Sequence, residues 1–338
     1  VNDRILRAAR QLPVDATPVW IMRQAGRYLP EYRAIREKVS FLQLCKTPEL
    51  AAEVTIQPVQ RLGVDAAIIF SDILIPVEAM GLELELEDSG PRFPSPIRTS
   101  ADIRRLAIPD PEEETGFVGE AIRKANKALN VPLIGFAGAP FTLAAYMVEG
   151  GGSKNFLQIK RLLFEEPKLA HQLFDKLTET IILFLRMQVA AGARLVQIFD
   201  SWGGELSPAD FDAFSLPYLQ RIVTTLKASK VPVILFGTSM STLLPRLMRS
   251  GADVIGLDWR IEIDEGRRIL GSNVAVQGNL DPAALFLPRA QLVERVHDIL
   301  RRAGPTGHIF NLGHGILPPT PPEAAQALVD AVHRFKRT

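Results

Sequence analysis

Short, continuously apolar runs recur along the chain at residues 19–22, 66–70, 133–136, 195–199, 233–236, 254–257, 274–277 and 309–312. Each is entered through a turn signal and left through small or polar residues, as strands are. Apolar and polar positions do not alternate within them, which is the pattern of strands covered on both faces. Gly63-Val64-Asp65, Gly192-Ala193-Arg194 and Gly251-Ala252-Asp253 lead into three of the runs, the glycine suiting a helix C-terminus just before a strand. Between the runs lie helical stretches such as 167–190 and 208–228. Eight strands alternating with helices predict an α/β fold, a single-domain (β/α)₈ TIM barrel over residues 1–338. The alternative is an open doubly wound sheet, but no G-x-G-x-x-G follows the first run.

Two segments depart from the repeat. Residues 82–86 alternate Leu with Glu, and Phe93 follows the turn signal Asp88-Ser89-Gly90-Pro91. This predicts a β-hairpin inserted near 82–94. Residues 109–114, rich in Pro and Glu, read as a surface connection. The chain opens with Asp3, Ile5, Leu6 and Ala9 at helical spacing, which predicts an N-terminal helical extension, although Arg4, Arg7 and Arg10 could also suit a transit peptide.

Composition adds exclusions. A length of 338 residues with 47% hydrophobic content supports a large core, and a formal charge of +1 gives no reason to expect nucleic acid. Residues 181–199 are the most apolar stretch, but Arg186 and Arg194 interrupt it short of the roughly 20 apolar residues a membrane span needs. The single thiol, Cys45, excludes an internal disulfide and a multi-cysteine zinc site, and fits a reducing cytoplasmic compartment. His308 and His314 with Cys45 make no zinc motif, and Gly150-Gly151-Gly152-Ser153-Lys154 lacks the spacing of a phosphate-binding loop. That glycine run reads instead as a flexible or close-packed loop.

Barrel chemistry sits just after the strands, at their C-terminal ends. Arg23 and Arg27 follow the first run, and a pair of guanidinium groups suits a ligand with several acidic arms. They could equally be surface charges. Asp72 follows the second run, either as a helix N-cap or as a carboxylate that stabilises a cation. Asp200-Ser201 carries the same ambiguity. His314, flanked by Gly313 and Gly315, has little local packing to explain it, though it could serve as a cap.

Several runs then resemble the signatures of the uroporphyrinogen decarboxylase family. They are RQAGRYLPEYR at 23–33, FSDIL at 70–74, GFAGAPFTLAAYMVEGGGSK at 135–154, QIFDSW at 197–202, GLDWR at 256–260, QGNLDP at 277–282 and FNLGHGI at 310–316. The resemblance covers nearly the whole chain, in order. It implies a cytoplasmic, homodimeric carboxy-lyase of haem and porphyrin biosynthesis that needs no metal and no organic cofactor. The substrate would be a tetrapyrrole, uroporphyrinogen III, whose acetate arms lose CO₂ to become methyl groups, giving coproporphyrinogen III. By motif, substrate contacts fall on Arg23, Gln24, Ala25, Gly26, Arg27, Asp72, Tyr146, Ser201 and His314, with Phe199 lining the cleft. Asp72 and Arg23 would carry the catalytic roles. Where many members have a Gly-rich stretch after the fifth strand, this chain has Gly237-Thr238-Ser239-Met240-Ser241. Two other functions compete. One is a corrinoid methyltransferase of the same superfamily, which typically needs zinc held by His and Cys. The other is a non-catalytic tetrapyrrole binder, which need not keep Asp72.

Overall fold

The computed structural model describes residues 2–87 and 90–336. Among the described residues there are nine strands: β1 (Ala67–Ile68), β2 (Glu85–Glu87), β3 (Gly90–Arg92), β4 (Leu133–Gly138), β5 (Leu195–Asp200), β6 (Val233–Gly237), β7 (Val254–Gly256), β8 (Ala275–Gln277) and β9 (His308–Ile309). All except β2 and β3 form one parallel sheet in the order β1-β4-β5-β6-β7-β8-β9. The first apolar run supplies the eighth member. Val19 bridges Phe310 in parallel. The Phe310 amide donates to the Pro18 carbonyl at 2.8 Å, and the Asp65 amide donates to the Val19 carbonyl at 2.7 Å. Residues 18–20 therefore bond to both ends of the curled sheet and complete the barrel read from the eight runs.

The uninterrupted apolar character of the runs has a direct cause. In β6, Ile234 and Phe236 join the cluster inside the barrel, while Val233 and Leu235 join the cluster between sheet and helices. β5 divides the same way, with Leu195 inside and Val196 and Ile198 outside. Both faces are buried, so apolar residues dominate on each. The interior also holds a polar chain. Trp20 Nε1 donates to Gln277 Oε1 at 2.9 Å, and Gln277 Nε2 donates to Gln197 Oε1 at 3.1 Å. The helix Arg4–Ala9 packs Ile5, Leu6, Ala8 and Ala9 into the interior cluster.

The helix Pro167–Ala190 matches its reading to the residue. The stretch 208–228 is broken instead into helices Pro208–Phe214 and Leu216–Leu226. Pro217 cannot continue a helix from behind, because it lacks an N–H and its ring meets the carbonyl four residues back. Residues 109–114 are only partly a connection. Asp110 accepts hydrogen bonds from the Glu112 and Glu113 amides and so caps a one-turn helix, Pro111–Glu114.

β2 and β3 form an antiparallel ribbon, Glu85 opposite Arg92. Asp88 and Ser89 of the turn expected there lie outside the described residues. The ribbon is anchored by the glycine run. Arg92 bridges Gly151, and the Phe93 amide donates to the Gly150 carbonyl at 3.0 Å. Gly151 sits at φ +153°, and a β-carbon there would fall 2.7 Å from the Pro91 carbonyl oxygen, so no side chain fits. At Gly151 the run is a close-packed junction, whereas Gly152 faces open space.

Candidate active site

A cleft of about 530 Å³ opens at the C-terminal ends of the barrel strands. Its volume is within the range of small-molecule sites. Three rings from adjacent strands form one wall. Phe136 of β4 meets Phe199 of β5 edge-on at 5.6 Å, Phe199 meets Phe236 of β6 at 6.1 Å, and Phe236 lies 6.4 Å from the His314 ring.

Polar groups reach this apolar wall from the loops. Arg23 takes a left-handed backbone, φ +61°, immediately after the first run. The loop is pinned on both sides. Met22 donates its amide to Asn311 Oδ1 at 2.9 Å, and Ile316 donates to the Met22 carbonyl at 2.9 Å. The arginine loop and the loop carrying His314 are thereby laced together. Arg23, Ala25, Gly26 and Arg27 all line the cleft, with both guanidinium-bearing residues exposed to it.

Gln24 is the exception among the expected contacts. It is buried away from the cleft. Its Nε2 donates to the Ala66 carbonyl at 3.0 Å and its Oε1 accepts the Ile21 amide at 3.0 Å. Both halves of the amide are used in joining the first run to the second, so the side chain braces the site instead of facing a ligand.

Asp72 lines the cleft beyond β1. Its Oδ1 accepts the Leu74 amide at 2.8 Å. The N-cap of the following helix, Ile75–Ala79, is Leu74, so Asp72 stands two residues ahead of the cap position. Burial pushes its carboxyl above the ordinary carboxylate range, opposed by the Leu74 bond and by the charge of Arg23. Tyr146, on the helix Pro140–Glu149, lines the cleft with its ring 5.7 Å from Trp202, and burial and the Asp72 carboxylate hold its hydroxyl above its usual range. Ser201 and Phe199 line it from the end of β5.

His314 completes the ring of groups. Burial and the nearby charges of Arg23 and Arg260 push its imidazole down to about 4. At neutral pH it is therefore an uncharged ring that can donate one hydrogen bond, and it adds no cation to the arginines.

Several lining residues are not among the contacts expected from the motifs. Arg36 lines the cleft from the last turn of the helix Pro30–Arg36, with its guanidinium 5.8 Å from the centre of the Phe41 ring. It follows a helix and not a strand, so the strand-end rule passes over it. Ser71 Oγ is buried beside Asp72 without a hydrogen-bond partner. Leu86 and Pro91 bring the inserted ribbon against the cleft, a contact between distant segments that spacing along the chain does not reveal. Among the described residues, no group of three His, Cys, Asp or Glu side chains is placed to hold a metal ion. Cys45 is buried, and its thiol is pushed well above its ordinary range by that burial.

The arrangement suits a large, partly apolar molecule with several acidic arms. Aromatic faces can cover its body, arginines can pair with its carboxylates, and one carboxylate can meet a positive centre within it.

Comparison with known proteins shows the family. A family model described as uroporphyrinogen decarboxylase matches residues 1–335. A uroporphyrinogen decarboxylase of Myxococcus xanthus is 70% identical over 336 residues, covering 99% of this chain and 97% of the relative. That of Trichlorobacter lovleyi is 54% identical and covers 100% of both. Among solved structures, a methyltransferase from Methanosarcina mazei superposes with a TM-score of 0.82 at 21% identity, covering 98% of this chain and 97% of its own. A B12-independent methionine synthase from Shewanella superposes with a TM-score of 0.55 at 12% identity, covering 84% and 86%. These two likenesses show the fold alone.

Proposed function

The chain belongs to the uroporphyrinogen decarboxylase family, and from that premise we propose that its barrel-mouth cleft binds uroporphyrinogen III and decarboxylates the four acetate arms, giving coproporphyrinogen III. The observation that carries this reading is the pairing of a cation-rich rim, Arg23, Arg27 and Arg36, with Asp72, the one carboxylate residue among the described lining residues, in one aromatic-walled cleft. Acidic arms around a core of pyrrole N–H donors that turns cationic on carbon protonation are what such a distribution complements.

Most decarboxylations need an electron sink, often lent by a cofactor. A pyrrole can be its own. A proton added to a ring carbon makes an iminium-like cation. The electrons of the bond to the carboxylate then flow into that ring as CO₂ leaves. A proton delivered to the exocyclic carbon makes the methyl group, and the ring returns the first proton, so each arm consumes one proton overall. On this reading the reaction needs no metal and no organic cofactor.

The protein's part is to hold the macrocycle and stabilise the cation. Asp72 accepts pyrrole N–H bonds through the oxygen not occupied by Leu74, and its charge is worth more once the ring is positive. Only such differential stabilisation lowers the barrier. Arg23 and Arg27 clamp carboxylates, and on this reading Arg23 also relays a proton to the reacting arm. His314, uncharged when the cleft is empty, donates to an arm, as do Tyr146 and Ser201. The backbone at Ala25 and Gly26 lines the same carboxylate end, and Phe199 packs against the ring system.

The same family premise supports a homodimer in the cytoplasm. No helix among the described residues is long and apolar enough to cross a membrane. Light scattering at assay concentration should give about twice the 37.3 kDa of one chain.

The decisive experiment incubates the purified protein with uroporphyrinogen under reducing, anaerobic conditions, oxidises the products and counts their carboxylates. Eight falling stepwise to four supports the proposal. No loss of carboxylates would refute it.

A further inference from the structure

Two polar side chains of the cleft, Tyr146 and Ser201, come from different elements, and one buried hydroxyl joins those elements. Thr142 lies four residues before Tyr146 on the helix Pro140–Glu149, hence on the same helical face. It is fully buried. Its hydroxyl donates to Asp200 Oδ1 at 2.7 Å and accepts the Trp202 amide at 3.1 Å. Asp200 and Trp202 flank Ser201, so a single oxygen on the tyrosine helix holds both neighbours of the serine. The rings repeat the connection, because Trp202 lies 5.7 Å from Tyr146 and 5.0 Å from Phe156.

Asp200 is an expensive residue for this position. It is 0% exposed at the end of β5, and its partners are all neutral: the hydroxyls of Thr142 and Ser215, the latter at 3.2 Å, and the backbone of Gly203 in its own loop. Burial pushes its carboxyl up to about 6. A buried carboxylate without a cation costs stability, and an apolar residue would fill the space more cheaply. What the carboxylate provides is direction: its two oxygens take donors from two different elements and fix where the β5 loop leaves the sheet.

We infer that Thr142 and Asp200 are positioning residues that set the spacing between Tyr146 and Ser201, and so the reach of these two side chains to carboxylate arms of one bound macrocycle. The inference rests on the reading of the cleft as the tetrapyrrole site.

Three variants test it. Thr142→Val keeps the shape and removes the hydroxyl, Thr142→Ser keeps the hydroxyl, and Ser215→Ala removes a different donor from the same carboxylate without touching the tyrosine helix. If two arm contacts go slack, substrate binding weakens more than chemistry. Thr142→Val should raise KM about tenfold, the scale of one lost hydrogen bond to a charged group, with kcat changed by less than about threefold. Thr142→Ser should restore KM. Ser215→Ala should lower Tm but leave KM in place. An unchanged KM in Thr142→Val, or an equal rise in Ser215→Ala, overturns the inference. Should Thr142→Val fail to fold, Thr142→Cys retains a weak donor of similar size and should show a smaller rise, whose absence also overturns it. Inability of the unmodified protein to decarboxylate uroporphyrinogen is a separate result. It removes the reading of the cleft, and the inference falls with it.

Discussion

The side chain of Arg23 crosses Gly315 so closely that a β-carbon at position 315 would lie 2.4 Å from Arg23 Cδ and 2.8 Å from its Cγ. Atoms in the middle of the arginine chain, not its flexible end, would be struck. Gly315→Ala should therefore swing the guanidinium away from its place in the cleft. Loss of one charge-assisted contact costs about 1.5–3 kcal/mol, or roughly 10- to 100-fold in kcat/KM. Steady-state kinetics beside a thermal melt check this. Unaltered kinetics would show that the approach of Gly315 does not place Arg23.

Gln24 calls for the opposite outcome. Its amide joins Ile21 to Ala66 and faces neither arginine nor cleft. Gln24→Leu strands a buried carbonyl and a buried amide, which should cost about 1–3 kcal/mol of stability. KM should move far less than in Arg27→Ala, a variant that removes one of the cleft's carboxylate-pairing groups and should raise KM. A urea titration and a KM measurement on the same preparation separate the two effects. A large rise in KM without loss of stability would restore Gln24 to the ligand-contact set.

The contrast between Gln24 and Arg36 shows where sequence reading stops. Strands buried on both faces leave an unbroken apolar signature, so the barrel and its strand ends were legible, and with them Arg23, Asp72, Ser201 and His314. A motif says that a residue stands near a site, but not which way its side chain turns. Gln24 sits between two cleft residues and points away, because its amide is the right length to satisfy two backbone groups. Arg36 reaches the cleft from the end of a helix, and the ribbon residues Leu86 and Pro91 reach it through an anchor at Gly151, 60 residues beyond Pro91. Those contacts are set by tertiary packing, which leaves no local period. Ser215 is another such case, since the break it marks follows from Pro217 while its hydroxyl is spent on distant Asp200.

A half-buried histidine and a buried carboxyl should tilt the pH dependence of stability in opposite directions. His314 titrates at about 4 in the folded protein against 6.5 in the free side chain. Between these values the unfolded chain holds a proton that the native protein refuses, so this histidine lowers stability as pH falls through the window. Asp200 titrates at about 6 against 3.8. There the native protein holds the extra proton, so this carboxylate raises stability as pH falls from about 6 to about 4. His314→Gln should make stability improve with acidification relative to the unmodified protein, and Asp200→Asn should make it decline more steeply. Urea midpoints at constant ionic strength between about pH 4 and 7 test both slopes. Curves parallel to that of the unmodified protein would contradict both assignments.

Asp72 offers the sharpest test, because its two possible roles need different atoms. As a turn brace it needs only an oxygen for the Leu74 amide, which Oδ1 supplies at 2.8 Å. Asparagine has that oxygen and serves such positions about as well as aspartate. As the group that stabilises a cationic macrocycle it needs the charge, and asparagine has none. The carboxylate stands in a site that already disfavours ionisation through burial, an effect the charge of Arg23 opposes. A cation arising in the bound substrate supplies a second partner at the moment it is needed, and the stabilisation is therefore greater in the transition state than before it. Asp72→Asn should keep the melting temperature and far-UV spectrum while lowering turnover by roughly 10²–10³, the usual cost of removing one preorganised electrostatic group. Substrate binding should weaken much less, because the arginines still hold the arms. Turnover close to that of the unmodified protein would leave Asp72 as a turn brace and move the stabilising charge elsewhere in the cleft.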